Sequence, residues 1–93
     1  MILKREEWTC FYCLAQLDEN NHVIEHVVSR PQGDNSYRNV VAACRRCNNR
    51  KSALLAEDFL RSLYRSGILS GDEFAGRISL IAKLSAGELK PVP

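Results

Sequence analysis

Two matched pairs of cysteines, Cys10-x-x-Cys13 and Cys44-x-x-Cys47, are the residues most plainly arranged for chemistry. A C-x-x-C turn presents two thiolates at the bite a metal ion accepts, and two such turns complete a tetrahedral zinc site. Four sulfur ligands close the coordination sphere, so an ion held there supports the fold and leaves no position for substrate. The interval between the pairs is longer than in common zinc ribbons; a two-strand hairpin with a long loop would fill it. Paired redox motifs would call for a thioredoxin-like βαβ pattern, which the flanking sequence lacks. Four merely buried thiols would leave the pairing unexplained.

A second group lies between the pairs. Val23-Ile-Glu-His-Val-Val28 places Glu25 and His26 inside an apolar, β-branched run, where titratable groups are costly unless something is done with them. An ideal strand sends neighbouring side chains to opposite faces, so for both to serve one site the strand must bulge or end there. Such a site would join a carboxylate for a hard divalent cation to an imidazole suited to proton abstraction near neutrality. If Cys44 and Cys47 open a helix, Asn48 and Lys51 continue the face of Cys44 one and two turns on. Asn48 could then add a carbonyl oxygen to the same cation, leaving most of a magnesium shell for water and phosphate. On the residues alone, a solvent-facing glutamate and a satisfied core histidine remain the alternative. His22 has no comparable company and reads as structural or exposed.

Few elements are available to position these groups. Asp18-Glu-Asn-Asn21 is a polar turn leading into a strand over 22–28. Ser29 to Arg38, with Pro31, Gly33, Asp34 and Asn35, has loop composition and is long for so small a domain. Asn39 to Ala43 reads as a second short strand. From Arg45 to about Arg65 there is no glycine or proline, and Leu55, Phe59 and Leu63 mark one helical face with Gly67 as its stop. Ser52 could cap a break partway, which leaves one helix or two open. Ser70-Gly-Asp-Glu73 is a capping box opening a last helix over about 70–85, with Phe74, Ile78, Ile81 and Leu84 as its buried stripe. Leu60, Leu63, Tyr64, Phe74 and Ile78 are expected in the core, and Trp8, Phe11 and Tyr12 around the zinc knuckle.

The run EHVVSRPQGDNSYRNVVAACRRCNNRKS strongly resembles the HNH homing and restriction-type nucleases. That family's motif is an acidic residue and histidine, a loop with proline and glycine, Asn-hydrophobic-hydrophobic, then C-x-x-C-N-x-x-K. Here these are Glu25-His26, Pro31 and Gly33, Asn39-Val40-Val41, and Cys44-x-x-Cys47-Asn48-x-x-Lys51. The resemblance implies an α+β fold: a small zinc-stabilised ββα-metal, treble-clef-like core over 1–66, with a helical extension over 67–93 packed on it as one domain. It further implies His26 as general base on water attacking a DNA phosphodiester. Glu25 and Asn48 would hold a magnesium or manganese ion, and Asn39 would bond across the loop to hold His26. Arg45, Arg46, Arg50 and Lys51 would meet backbone phosphates. The chain departs from the pattern at two places: many members carry Asp where Glu25 stands, and the usual glycine after the first knuckle is Leu14.

Composition agrees with this class. The 93 residues are 45% hydrophobic and 26% charged, with a formal charge of +2, globular in type and small enough to need a staple. That charge is uneven. Residues 1–22 carry two basic against four acidic side chains, residues 23–51 six against two, and residues 52–93 five against five. The basic third therefore coincides with the Glu-His and cysteine groups, which points to a polyanionic partner. No apolar run of membrane-spanning length and no signal peptide are evident, so a reducing cytoplasm is expected and disulfides are not. A zinc-knuckle module that binds DNA without cleaving it is the alternative from another class. Self-association into a homodimer or a larger phage or restriction assembly stays open.

Overall fold

The computed structural model describes residues 2–28 and 33–91, so Pro31 of the loop motif lies outside the described residues. Six elements follow in order: α1 (Ile2–Arg5), β1 (His22–His26), β2 (Val40–Cys44), α2 (Arg45–Lys51), α3 (Ala56–Arg65) and α4 (Gly71–Ser85). β1 and β2 pair antiparallel in unbroken register, from His22 opposite Cys44 to His26 opposite Val40. α2 begins at the residue after β2, so hairpin and helix form a ββα unit.

The first cysteine pair folds as a small knuckle. The Cys10 amide donates to Ala15 O at 2.8 Å and the Leu14 amide to Cys10 O at 3.0 Å. Closing so tight a turn forces Leu14 into the left-handed region, φ 66°, where a Cβ costs roughly 1–2 kcal/mol. This is the position at which the resemblance expects glycine. The knuckle then packs on the outer side of β2, with the Phe11 amide donating to Ala42 O at 3.0 Å.

α1 was not foreseen, and its end supplies a buried ion pair that organises this side of the sheet. Arg5 and Glu6 pair at 2.8 Å, and Glu6 Oε2 accepts the Ala42 amide at 2.9 Å. The Arg5 guanidinium also donates to the carbonyls of Val40, Tyr37 and Leu89. An edge strand that would otherwise present unpaired backbone is thus covered by side chains and by the knuckle.

The helical stretch after Cys44 resolves into two helices. Ser52 caps α2 with φ 46° and ψ −122°, a positive-φ conformation that cannot continue the helix. Leu55 becomes the N-cap of α3 and is 69% exposed, so it does not share the helical face with Phe59 and Leu63 that the spacing predicts. Tyr64, expected in the core, is corrected: it is 46% exposed and stacks on Phe74 at 5.3 Å on the surface where α3 meets α4. Phe59, Leu60 and Leu63 are buried.

α4 starts with the full capping box, Ser70 and Glu73 each bonding the other's backbone. Leu84 is buried, while Phe74, Ile78 and Ile81 pack half-buried against one continuous core that includes Leu3, Phe11, Tyr12, Val41, Leu60 and Leu69. Arg77 on α4 donates to Phe11 O at 3.1 Å and lies over the Phe11 ring at 5.4 Å, fastening the last helix to the knuckle. Among the described residues no helix is long and apolar enough to cross a membrane.

Candidate active site and metal centre

The four cysteine sulfurs lie within 4.8 Å of one another, and Cys13 Sγ stands 3.8 Å from Cys44 Sγ. Metal–sulfur bonds of about 2.3 Å place tetrahedral sulfurs about 3.8 Å apart, so the donor set and its spacing fit zinc. Cys44 also caps α2, its sulfur accepting the Cys47 amide at 3.4 Å. Hydrogen bonds from the Cys10 and Cys47 thiols hold Cys13 down to about 3, while hydrogen bonds with Cys10 and Cys13, together with burial, push the Cys47 thiol up. Four thiols this close cannot all ionise unless a cation offsets their repulsion.

β1 ends at His26 with no bulge in its register, so Glu25 and His26 part company. Glu25 turns into the core, 4% exposed. Tyr12, from the middle of the knuckle, donates its hydroxyl to Glu25 Oε2 at 2.5 Å. Lys51 Nζ, from the last turn of α2, stands 3.3 Å from Glu25 Oε1 and donates to His26 O at 3.3 Å. Burial and the facing carboxylate raise the Tyr12 phenol, which keeps it a donor. Burial also raises Glu25, with Tyr12 and Lys51 pulling the other way. Three buried polar groups from three separate segments therefore satisfy one another between knuckle, hairpin and helix.

Two expectations change as a result. Lys51 is fully buried and does not reach the surface to meet a phosphate, because its ammonium is the counter-charge of Glu25. Glu25 does not fit the seat of a divalent cation in this arrangement. Both its oxygens are engaged, and a second cation at Oε1 would stand beside the Lys51 ammonium.

His26 remains half-buried at the exit of the hairpin, its Nε2 2.7 Å from Asn35 Oδ1. Asn39 bonds across the loop: its Oδ1 accepts the Val28 amide at 2.8 Å, and its Nδ2 donates to Val28 O at 3.1 Å and Asp34 O at 2.8 Å. Gly33 sits so close beneath that a Cβ there would fall 1.8 Å from Val28 O and 2.5 Å from Asn39 Nδ2. Glycine is required for that approach. Asn48 lies half-buried on α2, one turn before Lys51, so Lys51's bonds to β1 bring its turn of α2 to the strand end that carries His26.

The arginines occupy another surface. Arg45, Arg46 and Arg50 line a cleft of about 510 Å³ together with Cys13, Cys44 and Cys47 and an apolar floor that includes Leu63 and Ile68. Arg45 reaches the start of the hairpin, donating to Asn20 O at 3.2 Å. His22, expected to be structural or exposed, bonds Asp18 O through Nδ1 at 2.8 Å on the exposed side of that turn.

Tyr12 and Asn35 did not stand out in the sequence. Tyr12 resembles any aromatic beside a zinc knuckle until the strand brings Glu25 to it. Asn35 is one of several turn residues in a long loop, and only the loop's winding sets it against His26.

The family model described as HNH endonuclease matches residues 10–54, the span from the first knuckle to just past the end of α2. No curated protein matches the chain.

Proposed function

From an HNH endonuclease domain at residues 10–54, we propose that the chain hydrolyses phosphodiester bonds in DNA, with His26 as general base and structural zinc on Cys10, Cys13, Cys44 and Cys47. The observation that carries the reading is the placement of His26. Its ring is accessible at the end of β1, steadied from the loop by Asn35, while Lys51 holds its backbone carbonyl from beneath. An imidazole in that position can take the proton of a water attacking a phosphate laid across the hairpin end, a contribution of order 10²–10⁴ in rate. Asn39 acts through the loop it closes. Arg45, Arg46 and Arg50 draw the polyanion to the adjoining face. No step is assigned to a cation on Glu25, whose carboxylate is held by Tyr12 and Lys51.

The test is plasmid nicking by the zinc-loaded chain with magnesium or manganese, comparing wild type, His26→Ala and added chelator. Cleavage lost in the variant supports the reading; identical behaviour of all three would sink it. One observation favours a second reading. With the carboxylate expected to hold a cation tied up by Lys51, the same surface would suit a DNA-binding module without cleavage. That reading expects a gel shift that His26→Ala leaves unchanged and no nicked product.

A further inference from the structure

We propose that Asn35 is a positioning residue for His26, its amide oxygen holding the imidazole proton on Nε2 and leaving Nδ1 bare to take the proton of the attacking water. This rests on the nuclease reading above. A neutral imidazole has one donor and one acceptor nitrogen, and which is which follows from the partner of the other. Asn35 Oδ1 is an acceptor only, and it lies 2.7 Å from Nε2. The proton is therefore on Nε2, and Nδ1 is the basic nitrogen. With Nε2 held by the loop and the backbone held by Lys51, the ring has one orientation.

The loop is built to deliver that amide. Asn39 Nδ2 holds the carbonyl of Asp34, and Asp34 Oδ1 accepts both the amide and the hydroxyl of Ser36, at 3.0 and 2.8 Å. Both neighbours of Asn35 are thus tied before its own side chain acts. Gly33 allows the chain to pass close under Asn39 on the way. Asn35 is itself exposed, and a hydrogen bond in that setting contributes little to stability.

Ring ¹⁵N–¹H spectra of the zinc-loaded full chain, recorded without DNA, test the assignment alongside nicking kinetics. In wild type His26 should show the ring ¹⁵N signal of the Nε2–H form. Asn35→Ala should lose that signal and let both forms mix; Asn35→Asp, which keeps an acceptor, should retain it. In nicking, Asn35→Ala should lower kcat about tenfold, with KM for plasmid within twofold and thermal stability unchanged. A wild-type ring protonated on Nδ1, or an Asn35→Ala variant with unchanged ring spectrum and kcat, overturns the assignment. Absence of nicking by wild type overturns the nuclease reading instead, and the spectra still decide whether Asn35 holds the ring.

Discussion

Asn39 makes three side-chain hydrogen bonds to the backbone at the start and the middle of the loop it closes, and each of its two polar atoms has a distinct task. Asn39→Asp keeps the acceptor for Val28 but sets a carboxylate oxygen against two carbonyls. With net contributions of about 1 kcal/mol per bond and a larger cost for the orphaned groups, we expect a loss of about 2–4 kcal/mol in thermal or urea unfolding. Nicking should fall further than stability explains, because the loop also carries Asn35. His26→Ala should behave in the opposite way, with unfolding within about 0.5 kcal/mol of wild type and cleavage abolished. Equal effects of the two variants on stability would show that His26 is packing rather than chemistry.

At the scale of elements, the Tyr12–Glu25–Lys51 group joins the knuckle to β1 and α2. Breaking a buried pair leaves an uncompensated charge and costs about 3–5 kcal/mol. Lys51→Met and Glu25→Gln should each lower the unfolding midpoint by well over 10 °C, at roughly 4–8 °C per kcal/mol for a domain of this size. The double variant should lose much less than the sum, which a double-mutant cycle measures. Glu25 also contributes a pH dependence. Its folded pKa is raised, so its share of stability is full below the ordinary carboxylate range and is lost as pH rises through the raised value. Glu25→Gln should remove that slope from stability measured against pH, and an unchanged slope would assign it to another group.

For the whole molecule, the four-cysteine site and α4 close the structure together, α4 binding the knuckle that carries the first cysteine pair. Binding free energy at a four-thiolate site is folding free energy, so a strong chelator should abolish the helical circular dichroism signal, and restored zinc should recover it with release of protons. Leu69 and Leu84 belong to the same core as Leu3 and Leu60, and Arg77 binds the knuckle backbone. We therefore expect a chain ending at residue 66 to stay unfolded even with zinc present, and Leu84→Ala to cost about 2–5 kcal/mol. A folded, zinc-binding 1–66 fragment would show that the last helix is an appendage.

Much of this was legible in the chain because the signals are local or periodic. Two C-x-x-C pairs specify a four-sulfur site through ligand spacing, and short apolar runs on either side of a loop specify a hairpin. Ser70 and Glu73 specify where α4 begins. The motif from Glu25 to Lys51 then named the residues that could do chemistry. What those residues face was settled only in three dimensions. Whether Lys51 reaches a phosphate or a carboxylate depends on which side of α2 meets β1, and desolvation makes the buried pairing obligatory once it does. Strand alternation sent Glu25 inward and left His26 outside, and the loop's own hydrogen bonds chose Asn35, from among several polar neighbours, to face it. Spacing along a chain records which groups are available, whereas burial and contact between distant segments decide which of them are already satisfied by the protein itself.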